Sequence, residues 1–164
     1  GNDIRGLPES FFENCRNLRE IHLKNNKISS IEANVYKGLS RLTELYLTNN
    51  KIEFITDLSF LPSLGCLDLS NNELSSLPHD LFASSSGLFR LLLDKNNFVE
   101  FPEVIENLSN LIDLTIADNK IRTLSGALKN TKLQTLSFKN NEIEFISPMF
   151  FEMITSLSLS LIHI

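Results

Sequence analysis

Residues 64–74 read Leu-Gly-Cys-Leu-Asp-Leu-Ser-Asn-Asn-Glu-Leu. Leu67 and Leu69 alternate with polar neighbours, so both side chains leave the same face of a short strand. Asn72 follows three residues later, and Leu74 two residues after that. The phrase repeats along the chain in both directions. Seven asparagines fall into register, Asn2, Asn26, Asn50, Asn72, Asn96, Asn119 and Asn141, at spacings of 24, 24, 22, 24, 23 and 22. Six of them follow an apolar triplet: Leu18–Ile21–Leu23, Leu42–Leu45–Leu47, Leu64–Leu67–Leu69, Leu88–Leu91–Leu93, Leu111–Leu114–Ile116 and Leu133–Leu136–Phe138. Two residues after each asparagine stands Ile4, Ile28, Ile52, Leu74, Phe98, Ile121 or Ile143.

One such strand cannot hide its apolar face alone. Stacking the next repeat beside it as a parallel neighbour buries that face, which predicts a quasi-one-dimensional coil. Where the chain turns inward after the strand, a short side chain that both donates and accepts can satisfy backbone groups that leucine cannot. Asn26, Asn50, Asn72, Asn96, Asn119 and Asn141 are therefore expected to form a structural ladder.

These motifs resemble the leucine-rich repeat family over nearly the whole chain. The resemblance implies an α/β solenoid, a right-handed superhelix in a horseshoe arc. It would carry a concave parallel β-sheet and a convex side of loops, turns and short helices. The returning halves fall into two kinds. Phe11/Phe12, Val35/Tyr36, Leu81/Phe82 and Phe150/Phe151 resemble the typical 24-residue repeat, with an aromatic stacked along the convex side. The repeats after Asn50, Asn96 and Asn119 are shorter, and Leu58, Ile105 and Leu128 fill that space. Ser85 occupies a slot that is apolar in the other long repeats, so residues 84–87 are expected to form a looser loop.

The repeat domain spans residues 1–158. It begins at the asparagine of one repeat and carries no cysteine-rich cap, which is the expectation for an internal piece of a longer protein. Residues 159–164, Leu-Ser-Leu-Ile-His-Ile, break the register, because a polar Ser160 falls where an apolar residue is due. They can be encoded by CTG TCT CTT ATA CAC ATC, the sequence of a transposase-type library adapter. We expect a non-native tail there; the alternative is a seventh strand of irregular register.

Composition narrows the function. The 29 Leu and 18 Asn among 164 residues are the repeat itself. Fifteen Lys and Arg against 20 Asp and Glu give a net charge of −5, with no basic excess to neutralise phosphates. That argues against a nucleic-acid partner. No apolar run approaches the length of a membrane span. Two cysteines make no disulfide framework. Cys15 fills an apolar convex slot and is expected to be buried, whereas Cys66 is expected to present an exposed thiol on the concave face. His22 and His79 belong to opposite faces and cannot share a metal or a triad. Asp94, Asp113 and Asp118 read as a solvated or partner-facing acidic surface. No catalytic, cofactor-binding or metal-binding constellation is expected. Asn107-Leu108-Ser109 is the single glycosylation sequon.

Equivalent residues of successive repeats should form ladders across the concave sheet. The third position reads Glu20, Glu44, Cys66, Arg90, Asp113, Thr135. The fifth reads His22, Tyr46, Asp68, Leu92, Thr115, Ser137, and the seventh Lys24, Thr48, Ser70, Asp94, Ala117, Lys139. These positions vary while the core positions do not. Tyr and Arg are favoured interface anchors. The expected partner surface is His22, Tyr46, Asp68, Phe89, Arg90, Leu92, Asp94, Ile112 and Asp113, with Arg90 in reach of Asp113 and of Asp68 diagonally. The resemblance implies a module that binds a protein or peptide. The alternative is the recognition segment of a larger enzyme, a receptor kinase or ubiquitin ligase, whose chemistry lies elsewhere.

Overall fold

The computed structural model describes residues 1–130, 132–152 and 154, together with the backbone of 162–163. In chain order the strands are β1 (Glu20–His22), β2 (Ser30–Ile31), β3 (Glu44–Tyr46), β4 (Phe54–Ile55), β5 (Cys66–Asp68), β6 (Arg90–Leu92), β7 (Asp113–Thr115), β8 (Thr123–Leu124), β9 (Thr135–Ser137), β10 (Phe145–Ile146) and β11 (Ile162–His163). A seven-stranded parallel sheet runs β1-β3-β5-β6-β7-β9-β11. Its register aligns Glu20, Glu44, Cys66, Arg90, Asp113 and Thr135 as one ladder, and His22, Tyr46, Asp68, Leu92, Thr115 and Ser137 as another. Between those ladders Ile21, Leu45, Leu67, Leu91, Leu114 and Leu136 point inward, at most 5% exposed. The solenoid and its concave parallel sheet are as the spacing predicts. The final strand is offset: Ile162 pairs with Leu136, two residues later than the motif spacing requires. Residues 155–161 and 164 lie outside the described residues, and with them most of the segment expected to be a non-native tail.

After each strand the chain reverses through one residue with φ between 54° and 59°: Asn25, Asn49, Asn71, Lys95, Asp118 or Asn140. This left-handed conformation costs an L-residue energy unless a short polar side chain stabilises it, which explains Asn and Asp at five of the six sites. The turn aims the following asparagine inward. Asn72 shows the pattern: its Oδ1 accepts the Ile52 N–H at 3.0 Å, while its Nδ2 donates to the Leu69 carbonyl at 2.9 Å and the Leu47 carbonyl at 3.1 Å. Asn50, Asn96, Asn119 and Asn141 bind the same three kinds of group, two from the preceding repeat. Each amide thus cross-links two coils at a point where water is excluded.

The outer flank carries two further parallel pairs, β2–β4 and β8–β10. Here the Thr56 N–H donates to the Ile31 carbonyl at 3.0 Å and the Ser147 N–H to the Leu124 carbonyl at 2.8 Å. Pro78 and Pro102 stand at the same position in their repeats and have no N–H to offer. The flank ladder is interrupted where those prolines face the preceding coil, and beyond Pro102 it resumes as a parallel Glu100–Thr123 bridge to β8. A cleft opens there over Leu77, Phe98, Phe101 and Val104, with Glu100 and Glu103 on its rim.

The convex side consists of turns and two 3₁₀ segments, Ala33–Tyr36 and Glu103–Asn107. Phe12 and Tyr36 stack along it with ring centroids 6.3 Å apart, and Phe150 meets Phe101 and Phe138 edge-on. Two expectations are corrected here. Residues 84–87 hold no slack loop: Ser85 is fully buried, and its hydroxyl donates to the Leu61 carbonyl at 3.1 Å. Cys15 is exposed rather than buried, because it lies on the terminal rung and is covered from one side only.

Candidate functional site on the concave sheet

The concave face takes its relief from the heights of neighbouring side chains. Strand β3 contributes Tyr46, whose ring stacks on His22 of β1 with centroids 4.8 Å apart and planes 6° from parallel. The Lys24 ammonium lies 4.2 Å from the centre of the same ring. The Tyr46 hydroxyl donates to the Glu44 carboxylate, and this bond, ahead of burial, pushes its ionisation well above the ordinary tyrosine range. His22 in turn lies 3.3 Å from Glu20. On the other side of the rung, β6 raises Arg90 and Leu92. Arg90 donates through both Nε (2.9 Å) and Nη2 (2.7 Å) to one oxygen of Asp113. This pair is half exposed, so its contribution to stability is roughly 0–1 kcal/mol.

Between these walls lies β5, and its rung is low. Gly65, Cys66, Asp68 and Ser70 are all short. Among strands with described side chains, β5 alone is buried at every residue. Cys66 is 3% exposed and Asp68 6%. Burial holds the Cys66 thiol above its ordinary pKa. The sequence reading of Cys66 as an exposed thiol is thus corrected, since Tyr46 and Arg90 stand over it from both sides. Asp68, read as a partner-facing rung, is likewise sunk into the floor. Its Oδ2 accepts from the Thr48 hydroxyl at 2.5 Å, its Oδ1 from the Ser70 N–H at 3.0 Å, and Lys24 Nζ lies 4.0 Å away. Asp68 does not meet Arg90 in a described contact; the guanidinium is turned to Asp113.

The remaining residues of the expected surface separate into two kinds. Phe89 is 41% exposed and leans over Gly65, where a β-carbon would fall 2.5 Å from its ring. Ile112 and Leu92 are half-buried beside it. These three form one apolar edge around Arg90. Asp94 stands apart: its carboxylate accepts from the Thr115 hydroxyl at 2.9 Å and the Ala117 N–H at 2.7 Å, and burial raises its pKa. Asp118 occupies a left-handed turn and accepts from Asn140. The three aspartates Asp94, Asp113 and Asp118 are therefore engaged separately rather than joined in one cluster. His79 is almost fully exposed on the other side of the coil. Among the described residues no group of His, Cys, Asp or Glu is arranged to hold a metal ion. No helix among them is long and apolar enough to cross a membrane.

Sequence reasoning missed a second amide row beside the first. Asn49 donates to Asn25 at 2.6 Å, Asn71 to Asn49 at 2.7 Å and Asn140 to Asp118 at 2.7 Å. The signal was present in the doublets Asn25-Asn26, Asn49-Asn50, Asn71-Asn72 and Asn140-Asn141.

A family model described as leucine rich repeat matches residues 1–52 and 40–98. Keratocan of Mus musculus is 33% identical over 159 residues, covering 93% of this chain and 44% of that protein. The chain therefore spans less than half the length of that curated relative. Among solved structures, the TLR13–ssRNA13 complex superposes with a TM-score of 0.87 at 30% identity, over 96% of this chain and 23% of the other. The Drosophila Toll–Spatzle complex superposes at 0.79 with 28% identity, over 90% and 20%.

Proposed function

We propose that this chain, which belongs to the leucine-rich repeat family, is a recognition module that binds a protein partner through its concave sheet and performs no catalysis itself. The observation that carries this reading is the relief of that face. Tyr46 and Arg90 are held upright on the two strands that flank β5, one by ring stacking and the other by a forked ion pair. Anchors fixed before binding lose little side-chain entropy on association. The low rung between them is a place for a partner's side chain to enter.

The similar structures include one complex with single-stranded RNA and one with the protein Spatzle. A protein partner is favoured here by charge. The chain carries −5 overall, and Glu20, Glu44, Asp68, Asp94 and Asp113 all lie on the concave sheet. Such a surface repels a phosphate backbone.

The test is capture of a partner by the immobilised chain from an extract of the cells that make it. Combining Arg90→Glu with Tyr46→Ala should abolish capture and leave the melting temperature within a few degrees of the parent. Lys129→Glu, on the opposite side of the coil, should leave capture intact. Undiminished capture by the double variant would place the interface elsewhere.

A further inference from the structure

The low rung of β5 already holds a cation, and that cation belongs to the chain. The Lys24 ammonium sits 4.2 Å from the centre of the Tyr46 ring and 4.0 Å from Asp68 Oδ2. An aromatic face and a buried carboxylate meeting at one point form a receptor for a positively charged group. Lys24 fills it loosely. Its side chain remains 41% exposed, and at 4.0 Å it makes no hydrogen bond to Asp68. The carboxylate, by contrast, is fixed: Thr48 and the Ser70 N–H hold its two oxygens, and its side chain is 9% exposed.

Taking the concave-face reading above as its premise, we infer that the notch between Tyr46 and Asp68 is the seat of a cationic side chain, lysine or arginine, from the protein partner, and that Lys24 is a displaceable stand-in for it. Charge supports the exchange. Arg90, the other cation on the notch wall, is turned to Asp113 and neutralised by it. When Lys24 swings out into solvent, Asp68 loses the cation described beside it, and Glu44, which accepts from the Tyr46 hydroxyl, adds a second negative charge at the same ring. A partner's ammonium or guanidinium restores the balance. It can also approach Asp68 more closely than a side chain tethered two rungs over, just after β1. Arginine could add stacking on the Tyr46 ring.

The inference is tested without any partner. The probes are acetyl-Gly-Lys-Gly-amide and its uncharged counterpart with norleucine in place of lysine, titrated at millimolar concentration into the ¹⁵N-labelled full chain. The backbone amides of Tyr46 and Ser70 are followed, with the buried Tyr36 as internal reference. The lysine probe should shift Tyr46 and Ser70 and the norleucine probe should not. Lys24→Ala, which empties the notch, should tighten lysine-probe binding at least about fivefold, the scale of one weak ion pair with a cation–π contact. Adding Asp68→Asn to Lys24→Ala should weaken it about tenfold, as expected for loss of one charge-assisted contact. Should Asp68→Asn fail to fold, Tyr46→Leu in the Lys24→Ala background serves the same purpose through the Ser70 amide. Equal responses to the two probes in folded Lys24→Ala, or equal affinity of the parent and Lys24→Ala for the lysine probe, would overturn the inference. Partner capture with the Arg90→Glu and Tyr46→Ala pair tests the face as a whole, so the notch and the face can fail independently.

Discussion

At the scale of single residues, this fold depends on amides more than its leucine content suggests. Each inward asparagine satisfies one N–H and two carbonyls, which no apolar residue of similar volume could do. It can do so only because the preceding residue takes a left-handed conformation. Five of the six turns use Asn or Asp there, and Lys95 is the exception. Lys95 has no short polar side chain to bond its own turn, and it interrupts the outer amide row between Asn71 and Asp118. Lys95→Asn should therefore stabilise the chain by about 0.5–1 kcal/mol, the range gained when a residue is matched to its backbone conformation. For a chain of this size that corresponds to a rise in melting temperature of roughly 2–4 °C per kcal/mol, measurable by circular dichroism. An unchanged or lower melting temperature would show that the lysine stem packs usefully where it lies.

At the scale of elements, the concave strands were legible in the sequence because their cause is local. A residue at position i in one repeat must lie beside its counterpart in the next, so counting residues yields the register from Glu20 to Thr135. The depth of the β5 rung was not legible, because it depends on the neighbours. Asp68 and Cys66 are visibly short in the sequence, but what buries them is Tyr46 on one side and Arg90 and Leu92 on the other, and those side chains belong to other repeats. Ser85 misled for a related reason: a serine in an apolar slot satisfies its hydroxyl on the carbonyl of the coil below. The flank pairs were missed although their signal is visible once the donors are known. Thr56 and Ser147 donate where Pro78 and Pro102 cannot. Pro78→Thr should extend the β2–β4 pair by one coil. The added hydrogen bond contributes about 0.5–1.5 kcal/mol, while losing the proline's restriction of the unfolded chain costs about 0.4–1 kcal/mol, so net stability should barely move. Hydrogen exchange separates the cases. The amide introduced at position 78 should be protected as strongly as that of Thr56, and free exchange there would show that something other than the missing donor keeps the ladder open.

At the scale of the whole molecule, a solenoid is held together by contacts between adjacent coils, so its cooperativity is only as strong as its weakest junction. That junction lies around the coil that begins with β5. On either side of it the flank ladder is interrupted by Pro78 and Pro102, leaving the concave sheet, the asparagine ladder, the inner leucines and a few separate bonds such as Glu73 to Ile52, Asn97 to Leu74 and Ser85 to Leu61 to couple the two halves. Leu69 belongs to the first three connections. Its side chain is fully buried, its N–H donates to the Leu92 carbonyl at 2.9 Å, and its own carbonyl accepts from both Asn72 and Asn96. Leu69→Ala leaves the backbone bonds in place but removes the buried side chain, at a cost of roughly 2–5 kcal/mol. Because the loss falls on the weakest junction, it should uncouple the halves as well as lower stability. The chain has two tyrosines, Tyr36 and Tyr46, and no tryptophan, so its intrinsic fluorescence reports the first two coils alone. Circular dichroism reports every strand. In urea the two signals should give one superimposable transition for the parent and two separated midpoints for Leu69→Ala, with a shallower slope for each because each unit exposes less surface. Leu136→Ala, an equally buried truncation away from the proline-interrupted coils, should lower both midpoints together. If the two signals stayed coincident in Leu69→Ala, the concave sheet and the asparagine ladder would suffice to couple the molecule from end to end.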